Sequence, residues 1–92
     1  MNITDLLVSE EVEDKLHAKH RVSVDELYEV IWNDEDQLII RHSQKVRGTY
    51  TAYGRTLAGR YLMIAFRLLE GGIAKILTAR DMDIAERQLY RG

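Results

Sequence analysis

Arg60-Tyr61-Leu62-Met63-Ile64-Ala65-Phe66-Arg67-Leu68-Leu69, then Glu70-Gly71-Gly72, then Ile73-Ala74-Lys75-Ile76-Leu77-Thr78, is the stretch that decides the fold. Leu62, Ile64, Phe66 and Leu68 alternate with Tyr61, Met63, Ala65 and Arg67, which is the two-residue period of a strand. Gly71-Gly72 is a hairpin signal, so residues 73–78 are expected to pair back antiparallel to residues 60–69. The Leu62 set is the natural seat for helices. The Met63 set is more polar and belongs to the side where a ligand can lie.

Working outward, residues 37–42 contain the Leu38-Ile39-Ile40 run and residues 49–56 are rich in Tyr and Thr, so both read as strands. Upstream the period becomes helical. Ser9 before Glu10 and Glu11 reads as an N-cap with acids in the first turn, and Val12, Leu16 and His20 follow one face until the helix stops near Arg21. Ser23-Val24-Asp25-Glu26 is a capping-box pattern. Val24, Leu27, Tyr28 and Ile31 continue that second helix to about Trp32, a core candidate. Asn33-Asp34-Glu35-Asp36 breaks the pattern, and Asp83-Ile84-Ala85-Glu86 opens a short last helix ending near Tyr90. The strand connections are too short for crossovers. The expected fold is α+β: two N-terminal helices packed on a four-stranded, mainly antiparallel sheet, with a short C-terminal helix, in a single domain over residues 1–92.

The charge is segregated along the chain. Residues 1–36 hold 11 acids against 3 bases, whereas residues 37–69 hold six bases (Arg41, Lys45, Arg47, Arg55, Arg60, Arg67) and no acid. A basic surface of this kind is the electrostatic footprint of a phosphate-rich ligand; the alternative is a set of solvated cations on strands that happen to avoid acids. No apolar run is long enough to cross a bilayer, and the N-terminus lacks a secretory pattern. With no cysteine there is neither a disulfide nor a thiolate metal site, which fits a cytoplasmic protein. Three histidines without metal-ligand spacing predict no metal and no cofactor.

Lys19-His20, Arg47-Gly48-Thr49-Tyr50, Tyr53-Gly54-Arg55-Thr56, Gly59-Arg60-Tyr61-Leu62, Thr78-Ala79-Arg80-Asp81-Met82 and Glu86-Arg87 with Tyr90 resemble, in order and spacing, the BrnT-type toxins of bacterial type II toxin–antitoxin pairs. The resemblance spans roughly residues 12–91. It implies a RelE-like fold, a metal-independent endoribonuclease that inhibits growth, and a cognate antitoxin that neutralises it and binds operator DNA. A homo-oligomer and a toxin–antitoxin hetero-oligomer are both compatible with it. One departure is Asp81, where better-known members often carry another basic residue.

Metal-free RNA cleavage uses the neighbouring 2′-hydroxyl as nucleophile. It needs a base, an acid, and cations around a phosphorane. Arginine suits the last role because its planar fork donates two hydrogen bonds to a phosphate and stays charged. Arg80 matches the arginine of the family's Ser-Ala-Arg segment and is the leading phosphate clamp; its alternative is an ion pair with Asp81 or Asp83. Arg47 matches a family arginine near the start of the second expected strand. His20 is the acid–base candidate, since histidine changes charge near neutral pH, or else a helix end. Tyr90 either brings a phenol to the site or packs on the sheet. Lys19, Lys45, Arg55, Arg60 and Tyr53 complete the RNA-binding candidates, with solvated hairpin charges as the alternative for Arg55 and Arg60. Tyr50, Tyr53 and Tyr61 offer stacking surfaces for unpaired bases, or cross-strand packing. The competing functional reading is a non-catalytic member of the same fold that binds an antitoxin or RNA, favoured by an acidic pI near 5.9. A DNA-binding repressor is disfavoured by the acidic helices.

Overall fold

The computed structural model describes residues 1–33, 35–43 and 46–91. Strand β1 (Asp5–Leu7) leads into helix α1 (Glu10–Lys15), which widens into a π-helical turn over Leu16–His20; helix α2 (Val24–Trp32) follows. Strands β2 (Ile39–His42), β3 (Thr49–Arg55), β4 (Tyr61–Leu68) and β5 (Ile73–Asp81) come next, and helix α3 (Ile84–Arg91) closes the chain. The sheet has five strands in the order β1-β5-β4-β3-β2. It is antiparallel throughout except for β1, which runs parallel to β5.

The fifth strand corrects the four-stranded expectation. β1 spans three residues, too few to display a period, and its partner β5 lies 68 residues ahead in register (Asp5 opposite Ile73), so no hairpin signal marks it. The two N-terminal helices and the C-terminal helix form where expected. Ser9 Oγ accepts from the Val12 amide at 3.2 Å, and Ser23 and Glu26 form the full capping box at 3.2 and 3.0 Å. Gly71 and Gly72 adopt φ of 80° and 82° in the β4–β5 turn, a conformation that costs glycine nothing. The last strand runs through Asp81, opposite Leu62, rather than stopping at Thr78.

Directly opposed residues in a ladder share a face, so the register sorts the sheet. Leu62, Ile64, Phe66, Ala52, Ala74, Ile76 and Ala79 lie on one face, all buried, against Leu16, Leu27, Val30 and Ile31 of the first two helices. Trp32 is only half-buried, stacked on Tyr28 with ring centroids 5.4 Å apart. Tyr50 also lies on this face, stacked on Phe66 at 5.6 Å, which takes it away from the opposite surface.

Close approach of α2 depends on Gly54. A Cβ there would stand 2.9 Å from Val30 Cγ1 and 3.2 Å from the Val30 carbonyl oxygen. The carbonyl belongs to the helix and cannot rotate away. Gly54→Ala is expected to destabilise the fold by about 1–3 kcal/mol through overpacking. Thermal melting of the variant checks this; an unchanged midpoint would mean that α2 yields at no cost.

Candidate active site on the open face of the sheet

The face away from α1 and α2 carries residues in rows that cross the strands. Ile39, Tyr53, Met63 and Arg80 stand opposite one another in succession across β2, β3, β4 and β5. With strands about 4.8 Å apart, Tyr53 and Arg80 are separated by only roughly 10 Å of backbone. Arg55 and Tyr61 form the next row toward one end of the sheet; Arg41, Thr51, Ala65 and Thr78 form the row on the other side.

Helix α3 folds back over the first of these rows. Its N-terminus is a second capping box: the Glu86 amide donates to Asp83 Oδ1 at 2.8 Å, and the Asp83 amide donates to Glu86 Oε1 at 2.9 Å. The Glu86 carboxylate also accepts from Arg80 Nη1 at 2.8 Å and Nη2 at 3.1 Å. Tyr90 sets its ring edge-on to Tyr61 at 5.9 Å. Met63 is only 8% exposed on a face expected to be open. Ile39, Arg41, Tyr53, Glu86, Leu89 and Tyr90 enclose a void of about 10 Å³ beneath α3, too small for a ligand. Any substrate must therefore lie beside α3 or shift it.

The electrostatics of the cluster follow from its packing. The hydrogen bond from Arg80 holds the Glu86 carboxyl below the usual carboxylate range despite partial burial. Glu86 in turn raises the Arg80 guanidinium above its ordinary value. Burial pushes the Tyr53 phenol up, with Glu86 adding to the rise while Arg41 and Arg80 oppose it. At neutral pH the cluster is thus a carboxylate, a guanidinium and a protonated phenol. Such a set contains a proton acceptor, a proton donor and a cation able to meet a phosphate.

Two further cations converge on Tyr61. The Arg87 guanidinium lies 5.4 Å from the ring centroid and that of Arg55 lies 5.9 Å from it, both in cation–π range. Arg80, Tyr53, Tyr90 and Arg55 of the sequence candidates thus come together around α3. Glu86 entered the sequence reading as a helix cap and within the Glu86-Arg87 motif, but not as a site residue. Arg80 pairs with neither Asp81 nor Asp83 through their carboxylates; it donates only to the Asp81 backbone carbonyl, at 3.0 Å.

Other candidates stand elsewhere. Arg60 points to the helix side, where its guanidinium binds both Asp81 oxygens (2.7 and 3.2 Å), Glu26 (3.2 Å) and the carbonyls of His20 and Arg21 (2.7 Å each). Every nitrogen is engaged by protein, so its geometry is that of a staple between α2, the π-helical turn and β5. Arg47 is exposed in the β2–β3 turn. Thr49 sits opposite Arg67 and Arg80 opposite Met63, so Arg47 lies beyond a point about 13 Å along the sheet from Arg80. Lys19 and His20 line a cleft at the outer edge of β5, apart from the Arg80 cluster. Lys45 falls outside the described residues. Among the described residues no three histidine, aspartate or glutamate side chains are grouped to hold a metal ion, and no helix is long and apolar enough to cross a membrane.

No protein-family model and no curated protein matches the sequence. The three-dimensional structure is similar to that of the Brucella abortus ribonuclease toxin BrnT, with a TM-score of 0.69 over 89% of this chain and 99% of that one. Sequence identity is 10%, so the likeness lies in the path of the chain rather than in shared residues. The resemblance read from the motifs is thereby borne out at the level of architecture: this chain has the fold of a BrnT ribonuclease toxin.

Proposed function

We propose that the chain is a metal-independent endoribonuclease toxin whose active site is the Arg80–Glu86–Tyr53 cluster. The observation that carries this reading is the convergence of a carboxylate, a bidentate guanidinium and a protonated phenol on one sheet face of a ribonuclease-toxin fold. Arg80 holds the scissile phosphate and stabilises the added charge of the phosphorane. As phosphate takes over part of the Arg80 fork, Glu86 loses its partner and becomes basic enough to accept the 2′-hydroxyl proton. The freed 2′-oxygen forms a bond to phosphorus, the bond from phosphorus to the 5′-oxygen breaks, and the Tyr53 phenol protonates that leaving oxygen. The products are a 2′,3′-cyclic phosphate and a 5′-hydroxyl. Arg55 and Arg87 on Tyr61 supply flanking cations, and Tyr90 seats α3 on the sheet.

Glu86→Gln keeps the size and a hydrogen-bonding oxygen but cannot take the proton. Cleavage is expected to fall by about 10²–10⁴-fold, the usual share of a general base. Single-turnover rates on a mapped RNA site measure it, and a rate within a factor of three of wild type would remove Glu86 from the chemistry.

The partners implied are RNA and a neutralising antitoxin protein. Induced expression in a bacterial host is expected to arrest growth, with arrest relieved by Arg80→Ala at equal protein level. Undisturbed growth with abundant folded wild-type protein would contradict the toxin reading. A second reading, RNA binding without cleavage, is favoured by the resting pair itself, in which Glu86 occupies the Arg80 fork. It predicts that Glu86→Gln strengthens RNA binding while wild type leaves RNA intact.

A further inference from the structure

β1 pairs only with Ile73, Ala74 and Lys75, so the outer edge of β5 has no strand partner from Ile76 onward. The first helix takes that place, and between its last turns and β5 lies a cleft of about 190 Å³. Lys15, Lys19 and His20 line it from the helix, and Leu77 and Thr78 from the strand. Both walls depart from regular geometry. The helix widens into its π-helical turn at Leu16–His20. Facing it, the β4–β5 register jumps from Ala65 opposite Thr78 to Phe66 opposite Ile76, which leaves Leu77 as the extra residue of a bulge. π-turns and β-bulges recur beside functional sites, and here one faces the other across a cleft.

No acidic side chain lines the cleft. Among the described residues neither lysine forms an ion pair, since every one present involves Arg60 or Arg80. Glu13 and Asp14 of the same helix line a separate cleft with His17. Asp81, whose lowered carboxyl feels first the Arg60 hydrogen bond and more weakly Arg87 and His20, has both oxygens held by Arg60. Lys15, Lys19, His20 and Thr78 thus line a space large enough for one tetrahedral anion, at a sheet edge where such concavities form.

We propose that this cleft is a phosphate-binding site, with Lys15 and Lys19 supplying charge and His20 and Thr78 supplying hydrogen bonds. Lysine serves phosphate as a point charge, without the planar fork that Arg80 provides. Thr78 and Arg80 stand two residues apart on β5, about 7 Å along the strand, so an RNA strand passing round the sheet edge can meet both sites. RNA as the source of the bound phosphate rests on the reading above. Affinity for phosphate itself does not.

The test uses the whole chain and follows the His20 ring and Thr78 amide signals by NMR at fixed pH. Inorganic phosphate is titrated first, and then a 2′-O-methyl oligoribonucleotide, which cannot be cleaved. Saturable shifts at both signals are expected, with affinity for inorganic phosphate reduced at least tenfold in Lys15→Ala/Lys19→Ala. Absence of saturable shifts in wild type, or equal affinity in the folded double variant, overturns the site. Displacement of phosphate by the oligonucleotide identifies RNA as the source. Phosphate binding that the oligonucleotide leaves untouched keeps the site, assigns it to free phosphate, and counts against the RNA path. Oligonucleotide binding that depends on Arg80 but not on the lysines overturns the cleft as an RNA subsite while the ribonuclease reading stands.

Discussion

Arg80→Ala is expected to lower RNA cleavage by about 10²–10³-fold, or roughly 3–4 kcal/mol of transition-state stabilisation, while leaving the protein folded. The two halves of this expectation have different origins. Arg80 is 38% exposed, and its contacts are one ion pair with Glu86 and one bond to the Asp81 carbonyl. A pair this close to solvent contributes little, so the melting temperature should move only by a few degrees, for about 1 kcal/mol. The catalytic loss is large because nothing else in the Ile39–Tyr53–Met63–Arg80 row carries a cation. Arg80→Lys keeps the charge but not the fork, and is expected to recover only part of the rate. Single-turnover cleavage alongside thermal melting separates the two effects. A folded Arg80→Ala protein that cuts at the wild-type rate would move the site off this row.

The largest structural effect belongs to Arg60. Arg60→Ala removes two ion pairs and two charge-assisted bonds to carbonyls, which together link Glu26 of α2, His20 and Arg21 after the π-helical turn, and Asp81 of β5. Arg21 is the one described non-glycine residue with positive φ, at 52°, and its carbonyl depends on this arginine. Allowing for partial exposure, the loss should be about 2–3 kcal/mol, or roughly 10–20 °C in melting temperature. The pH dependence carries the same signature. The Asp81 carboxyl is lowered chiefly by its hydrogen bond from Arg60. A depressed carboxylate adds stability above its unfolded value, and that stability is lost as pH falls through the folded value. Wild type should therefore lose stability as pH drops through and below the ordinary carboxylate range, and Arg60→Ala should lose less over the same window. Chemical denaturation from pH 7 down to pH 3 measures both curves. Parallel curves would mean that Asp81 draws its shift from elsewhere.

Much of this architecture is legible in the sequence because local chemistry and tertiary burial agree. Ser23 and Glu26 announce α2, Gly71 and Gly72 announce the last hairpin, and the Leu62–Ile64–Phe66 alternation picks the buried face. β1 escaped because three residues cannot show a period and their pairing is parallel and remote in sequence. The site is only half legible. Tyr53 stands on a strand whose alternation fixes its face, whereas Arg80 lies beyond the bulge at Leu77, which reverses the alternation along β5. Glu86 could not be placed from alternation at all, because its role depends on α3 folding back over the sheet, a packing choice that leaves no periodic trace. Arg60 misleads for the opposite reason: an arginine in a basic stretch looks available to RNA, but its partners Glu26 and Asp81 are 34 and 21 residues away.

The measurement that tests the account most directly is incubation of the purified wild-type chain with single-stranded RNA in excess EDTA, with end-group analysis of the products. The account predicts defined fragments bearing 2′,3′-cyclic phosphates and 5′-hydroxyls, formed without metal and absent with Arg80→Ala. Intact RNA in the presence of folded protein would contradict it, as would cutting that Arg80→Ala performs equally well.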